Sequence, residues 1–242
     1  VLIQACLNGG TSRSEHPSVP LTPGELAASA REARREGAAA VHIHPRDSSG
    51  AQTLEAEHVL AAVAAVRGAT GLPVGVTTGI WTVDGDVDRR LALVARWTGT
   101  NRPDFASINV NESGTDALAD LLTSLGIEIE AGVWTADDAR RLADSTFGDR
   151  LLRVLLEPVD RVPAEAVATA LDASAELRRL GIGVPQVHHG YGSATWDVLE
   201  AAAEAGFDIR VGLEDTTVLP DGTIASGNAD LVAAAVRLTG GN

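Results

Sequence analysis

The chain has 242 residues, 19 basic against 33 acidic side chains, a net charge of -14 and one cysteine, Cys6. That balance argues against nucleic acid or an anionic membrane as partner, and a lone thiol excludes an intrachain disulfide and a thiolate metal cluster. With no apolar run of about 18 residues and no basic-then-apolar leader, the expectation is a cytoplasmic protein without a membrane span or signal peptide.

Hydrophobic residues make up 45% of the chain and aromatic ones 3%, so the core must be built from Ala, Val, Leu and Ile. Apolar, β-branched runs predict strands at 1 to 7, 38 to 44, 73 to 78, 104 to 110, 127 to 133, 151 to 157, 184 to 189 and 208 to 214. A helical pattern follows each. The first helix opens with Thr22-Pro23-Gly24-Glu25, which supplies an N-cap, a proline at the first helical position and a capping-box glutamate, and it stops near Gly37. Further helices are expected at 54 to 67, 84 to 97, 115 to 125, 136 to 145, 163 to 180, 194 to 205 and 226 to 238, with Gly68, Gly126, Gly181 and Gly206 as stops. Eight β-α units in this length, with no linker dividing them, predict an α/β chain forming a single (β/α)8 barrel, the TIM-barrel arrangement. A doubly wound open sheet is the other architecture considered; the GxGxxG fingerprint it often carries is missing after the first strand.

Active sites of such barrels lie at the carboxyl ends of the strands, and polar residues concentrate there: Asn8, His42 and His44, Thr77 and Thr78, Asn109 and Asn111, Glu157, His188 and His189, and Glu214 with Asp215. Strand 5 also carries Glu128 and Glu130. Residues i and i+2 of a strand project the same way about 7 Å apart, so His42 and His44 can converge on one ion. Zinc, held at about 2.1 Å by imidazole nitrogen, fits that spacing. A third ligand must come from another strand. Glu214 is the preferred candidate, because strands 2 and 8 both flank strand 1; His188 or His189 is the alternative. Alternation along strand 8 places Arg210 on the face of Glu214 but lower in the barrel, and Asp215 on the rim.

With His42-Ile-His44-Pro-Arg-Asp47 and Arg210-Val-Gly-Leu-Glu-Asp215 in place, the sequence resembles the β-keto acid cleavage enzymes. Pro20-Leu-Thr-Pro-Gly-Glu25, Thr77-Thr78-Gly79 and Glu128-Ile-Glu130 extend the likeness. The resemblance implies a zinc-dependent (β/α)8 barrel with the metal, zinc or a similar divalent ion, on His42, His44 and Glu214. It further implies catalytic roles for Asp215 as base, Arg210, Glu130 and either Thr77 or Thr78. The implied partners are a β-keto acid and acetyl-CoA, exchanged to acetoacetate and a new acyl-CoA, in a protein that assembles into homo-oligomers. Asn8, Thr78, Asn109, Arg46 and His188 are expected to contact substrate, and Arg13 is a further candidate for a carboxylate or a CoA phosphate. Ser107-Ile-Asn-Val-Asn111 and Thr216 depart from the commonest family pattern where the acyl pocket should lie.

Two other enzyme classes use similar residues. An amidohydrolase-type hydrolase normally carries HxH on strand 1 with histidines on strands 5 and 6, and a metal-dependent aldolase or lyase takes a histidine ligand from strand 7. A non-enzymatic metabolite-binding barrel would have no need of the combined ligands, base and arginine.

Overall fold

In the computed structural model, which describes residues 1 to 240, eight parallel strands close into a barrel in chain order. They are β1 (Ile3–Cys6), β2 (Ala40–Ile43), β3 (Val74–Thr77), β4 (Phe105–Asn109), β5 (Glu128–Val133), β6 (Leu151–Leu156), β7 (Gln186–His188) and β8 (Asp208–Val211). The helices are α1 (Pro23–Arg35), α2 (Ala56–Thr70), α3 (Val87–Val94), α4 (Thr115–Ser124), α5 (Ala136–Asp144), α6 (Pro163–Arg179), α7 (Thr195–Glu204) and α8 (Asn228–Leu238). None of the described helices is long and apolar enough to cross a membrane.

Alternation along the strands divides the core in two. Outward residues such as Val41, Val76, Ile108, Val154 and Val211 are fully buried against the helices in one continuous apolar cluster. Inward residues are largely polar. Glu130 accepts from Arg153 Nε at 2.6 Å and Gln4 Nε2 at 3.2 Å, and the Arg153 guanidinium lies 4.6 Å over the Phe105 ring. A paired charge layer therefore fills the barrel interior, where an unpaired charge would be prohibitive.

The expected first helix is present with both halves of its capping box: Thr22 accepts from Glu25 N, and the Glu25 carboxylate accepts from Thr22 N. Three of the boundaries that differ from the sequence expectation have a local backbone cause. Gly68 lies inside α2, and the left-handed cap falls on Gly71 at φ 66°. Asp84 sits at φ 55° before Gly85, after a 3₁₀ turn at Ile80–Val83, so the helix expected over 84 to 97 starts only beyond its cap Asp86 and is shortened to Val87–Val94. Strand 8 stops at Val211, because the Gly212 carbonyl accepts from both Asp215 N and Thr216 N and turns the chain helically.

Candidate metal centre and active site

β1 pairs with β2 on one side and β8 on the other, and this brings together side chains from both. His44 Nε2 stands 3.1 Å from His42 Nε2 and 3.2 Å from Glu214 Oε1, with His42 Nε2 4.0 Å from Glu214 Oε2. One ligand atom from each of the three lies within 4.8 Å of the others. Two nitrogens on one tetrahedral zinc would be roughly 3.4 Å apart, so the spacing fits. Burial holds His42 well below the usual histidine range, with the Arg210 charge adding to it against Glu214. Glu214 stays well below the usual carboxylate range, because Arg210 and the two histidines outweigh its burial. Its Oε2 is buried without a hydrogen-bond partner. A neutral imidazole beside an ionised carboxylate with an unspent oxygen is a donor set suited to a borderline divalent ion.

The shell around these candidate ligands is built from residues with other expected roles or with no local sequence signal. Asn8, expected to touch substrate, is spent on the backbone of His44: it accepts from His44 N at 2.9 Å and donates to His44 O at 2.8 Å. Gln52 Oε1 lies 2.6 Å from His44 Nδ1 and accepts from Trp81 Nε1 at 3.3 Å. An amide oxygen only accepts, so the contact puts the proton of His44 on Nδ1 and leaves Nε2 free for a metal. The Trp81 ring stacks 6.3 Å from that of His44.

Glu214 belongs to the turn after β8, which is fixed from several sides. Asn228 accepts from Leu213 N at 2.8 Å and donates to Leu7 O at 2.9 Å, while Thr11 Oγ1 donates to Leu213 O at 2.7 Å. Gly212 lies so close to β1 that a Cβ there would meet Cys6 O at 1.8 Å, and one on Gly9 would meet Glu214 Cγ at 2.2 Å. Arg46 clamps the same corner: Nη2 donates to Gly9 O and, at 3.4 Å, to Thr11 O. The structure thus gives Arg46 backbone carbonyls where a substrate anion was expected.

Asp215 is not on the rim. The turn at Gly212 breaks the strand alternation and buries its side chain completely, with Oδ1 3.0 Å from His189 Nδ1 and 3.6 Å from Arg210 Nη2. Arg210 Nη2 donates to Glu214 Oε1 at 2.6 Å, so one guanidinium serves the candidate ligand and the neighbouring carboxylate. On the far side of the imidazole, His189 Nε2 stands 3.6 Å from Glu157 Oε2. Burial and Arg210 oppose a charge on His189, but Asp215 and Glu157 outweigh them and raise it to about 9. Burial raises Asp215 above the usual carboxylate range against the pull of His189 and Arg210.

Of the two strand-7 histidines, the one facing the site is His189. His188 points to the helix layer: its ring stacks 4.4 Å from Phe207, and Nε2 lies 3.1 Å from Gln186 Oε1, which accepts from Ser174 of α6. The ring expected to contact substrate thus faces the helix layer and not the barrel mouth. The strand-3 hydroxyls also separate. Thr78 Oγ1 donates to Ser107 O, whereas Thr77 Oγ1 accepts from Gly79 N at 3.1 Å and keeps its own hydrogen to give. Glu130 is tied into the Arg153 layer. Asn109 Nδ2 donates to Glu112 at 3.0 Å, beside the buried pair of Glu112 with Arg90. Arg13 pairs with Glu25.

A cleft of about 490 Å³ opens over Glu214 and Asp215, bordered by Thr11, Glu15, Arg161, Tyr191 and Thr216. The chain is 25% identical over 256 residues to a 3-keto-5-aminohexanoate cleavage enzyme of Fusobacterium nucleatum subsp. nucleatum, covering 98% of this chain and 90% of the relative. Among solved structures, a binary complex of ObcA with oxaloacetate superposes with a TM-score of 0.72 at 20% identity, covering 91% of this chain. This chain spans 63% of the ObcA length. A type I 3-dehydroquinate dehydratase from Clostridium difficile, 11% identical and covering 100% of this chain and 93% of its own, shares the barrel at a TM-score of 0.64. The model of the β-keto acid cleavage enzyme family matches residues 1 to 241, and with its HxH, the two carboxylates of the turn after β8 and closed barrel the chain belongs to that family.

Proposed function

We propose that this chain exchanges acyl groups between a β-keto acid and acetyl-CoA, releasing acetoacetate and a new acyl-CoA, with zinc or a similar divalent ion on His42, His44 and Glu214. The observation that carries the reading is the convergence of these three ligand atoms beside a buried carboxylate, Asp215, that is not itself a ligand. A divalent ion bound there would supply Lewis acidity to the carbonyl oxygens of the keto acid.

The chain's own residues handle protons and position. Asp215 accepts the proton between the two carbonyls; burial makes it a stronger base, against the opposing pull of His189 and Arg210. The resulting carbanion attacks the thioester carbonyl of acetyl-CoA, CoA passes to the original keto carbon within the adduct, and the bond between that carbon and the former carbanion carbon breaks, releasing the acyl-CoA and the acetoacetate carbanion, which takes its proton back from Asp215. Thr77 supplies a hydroxyl proton toward adduct oxygens at the barrel mouth. Glu130 acts from below, holding Arg153 and the barrel interior in place.

A panel of β-keto acids with acetyl-CoA and metal-loaded protein tests this. Acetoacetate should form with at least one acid and fail to form with Asp215→Asn. Absence of acetoacetate across the panel, together with hydrolysis of amides or esters, would replace the exchange reading with a hydrolase.

A further inference from the structure

We infer that Arg161, stacked on Tyr191, forms an anion subsite in the cleft over Asp215, so that the keto acid taken by this protein carries a second carboxylate at its acyl end. The inference rests on the acyl-exchange reading for the identity of the ligand as a keto acid, and on the following geometry for its charge.

Arg161 and Tyr191 border the same cleft as Glu214 and Asp215. The guanidinium carbon lies 5.2 Å from the centre of the Tyr191 ring. The loop beneath is tied at both ends: Gly192 N donates to Asp215 O at 2.8 Å, and Ser193 Oγ donates to Arg161 O at 2.7 Å. A Cβ on Gly192 would approach Arg161 Nη1 at 3.7 Å, so the guanidinium lies along this loop. The cation is therefore one short loop from the backbone of the proposed base and on the wall of the same cleft.

Other arginines around the barrel mouth are engaged. Arg13 pairs with Glu25, Arg46 serves backbone carbonyls, and Arg210 serves Glu214 and Asp215. Arg161 has no ion-pair partner among the described residues, and its planar fork with an aromatic ring behind it suits bidentate binding of a carboxylate. On a chain of net charge -14, an anionic ligand needs such a local cation. The one carboxylate besides Glu214 and Asp215 on the cleft wall, Glu15, is already bonded by Ser12 N and Oγ at 2.8 and 2.7 Å.

Isothermal titration of the zinc-loaded protein with 3-oxohexanedioate and with 3-oxohexanoate, equal in carbon count, reads the subsite without requiring turnover. The diacid should bind on the order of tenfold more tightly, and Arg161→Gln, a change at an exposed side chain, should bring the two acids together. Equal binding by the wild-type chain overturns the inference. So does an unchanged ratio in Arg161→Gln, or a loss confined to acetyl-CoA, which would assign the cation to a CoA phosphate. Loss of the ratio in Glu15→Gln alone would move selection to that carboxylate and overturn it as well. Selective diacid binding without acetoacetate formation would sink the acyl-exchange reading and leave the subsite standing.

Discussion

His189 Nδ1 lies 3.0 Å from Asp215 Oδ1, and both side chains are closed off from solvent. The imidazole bridges Asp215 and Glu157, and its protonation is favoured up to about pH 9. A histidine whose pKa is raised on folding from 6.5 contributes stability fully below that value and loses it as pH rises toward about 9. Metal-free wild-type protein should thus lose stability to urea between about pH 6.5 and 9, and His189→Gln should be flatter over that window. The same variant should lower kcat by roughly 10 to 100-fold with little change in the KM for acetyl-CoA, as expected when a base is misplaced. An identical pH slope in the two proteins would remove His189 from the role of holding Asp215.

Gln52 reaches the proposed metal centre only through His44. Removing a partner of this kind costs roughly 10 to 100-fold in metal affinity in other sites. Gln52→Leu should fold normally and bind zinc more weakly by that factor in competition with a chelator. Trp81, which donates to the same Gln52 oxygen, gives a fluorescence readout of the titration. Unchanged affinity would mean that the Asn8 clamp on the His44 backbone is sufficient alone.

The barrel and the pair His42 and His44 were legible because strand alternation and β-α spacing are local signals. The approach of Glu214 to that pair was legible from topology, since β1 lies between β2 and β8. Strand alternation puts Asp215 on the rim only if it continues through Gly212, where the chain already turns. Asn8 and Arg46 look like substrate contacts in a sequence; in space their groups are spent on the His44 backbone and on the Gly9 and Thr11 carbonyls. Gln52 and Asn228 carry no local signature, since their partners are a ring nitrogen and the backbone of distant turns. On strand 7 the two adjacent histidines offered both faces, and only the packing of Phe207 on His188 decided between them.

The capping box of α1 provides a test away from the site. Thr22→Ala should cost about 1 kcal/mol in chemical denaturation at neutral pH. Backbone bonds from Thr22 and Leu21 hold Glu25 down to about 2 against an ordinary 4.5. A carboxylate depressed on folding stabilises above its unfolded value and stops doing so as pH falls through the folded one. The deficit of Glu25→Ala should therefore be full at pH 7 and shrink as pH is lowered from about 4.5 toward 2. A deficit independent of pH would show that packing, not the ionised cap, is what Glu25 contributes.

Gly9 is where the loop after β1 meets the proposed third ligand. Its φ is 47°, and an added Cβ would fall 2.2, 2.7 and 2.8 Å from Glu214 Cγ, Cβ and Cδ. The left-handed conformation alone costs an alanine roughly 1 to 2 kcal/mol, which a barrel of this size should survive. The contacts with Glu214 cannot be relieved locally, because Arg46 holds the Gly9 carbonyl and Asn228 with Thr11 holds the turn at Leu213. The side chain of Glu214 must swing instead, moving Oε1 away from His44 and from Arg210. Gly9→Ala should then keep its far-ultraviolet circular dichroism while binding zinc at least tenfold more weakly, the two histidines remaining as ligands. Wild-type affinity in this variant would mean that the carboxylate of Glu214 does not hold the metal, and the third ligand would have to be sought in Asp215, one residue further along the same turn.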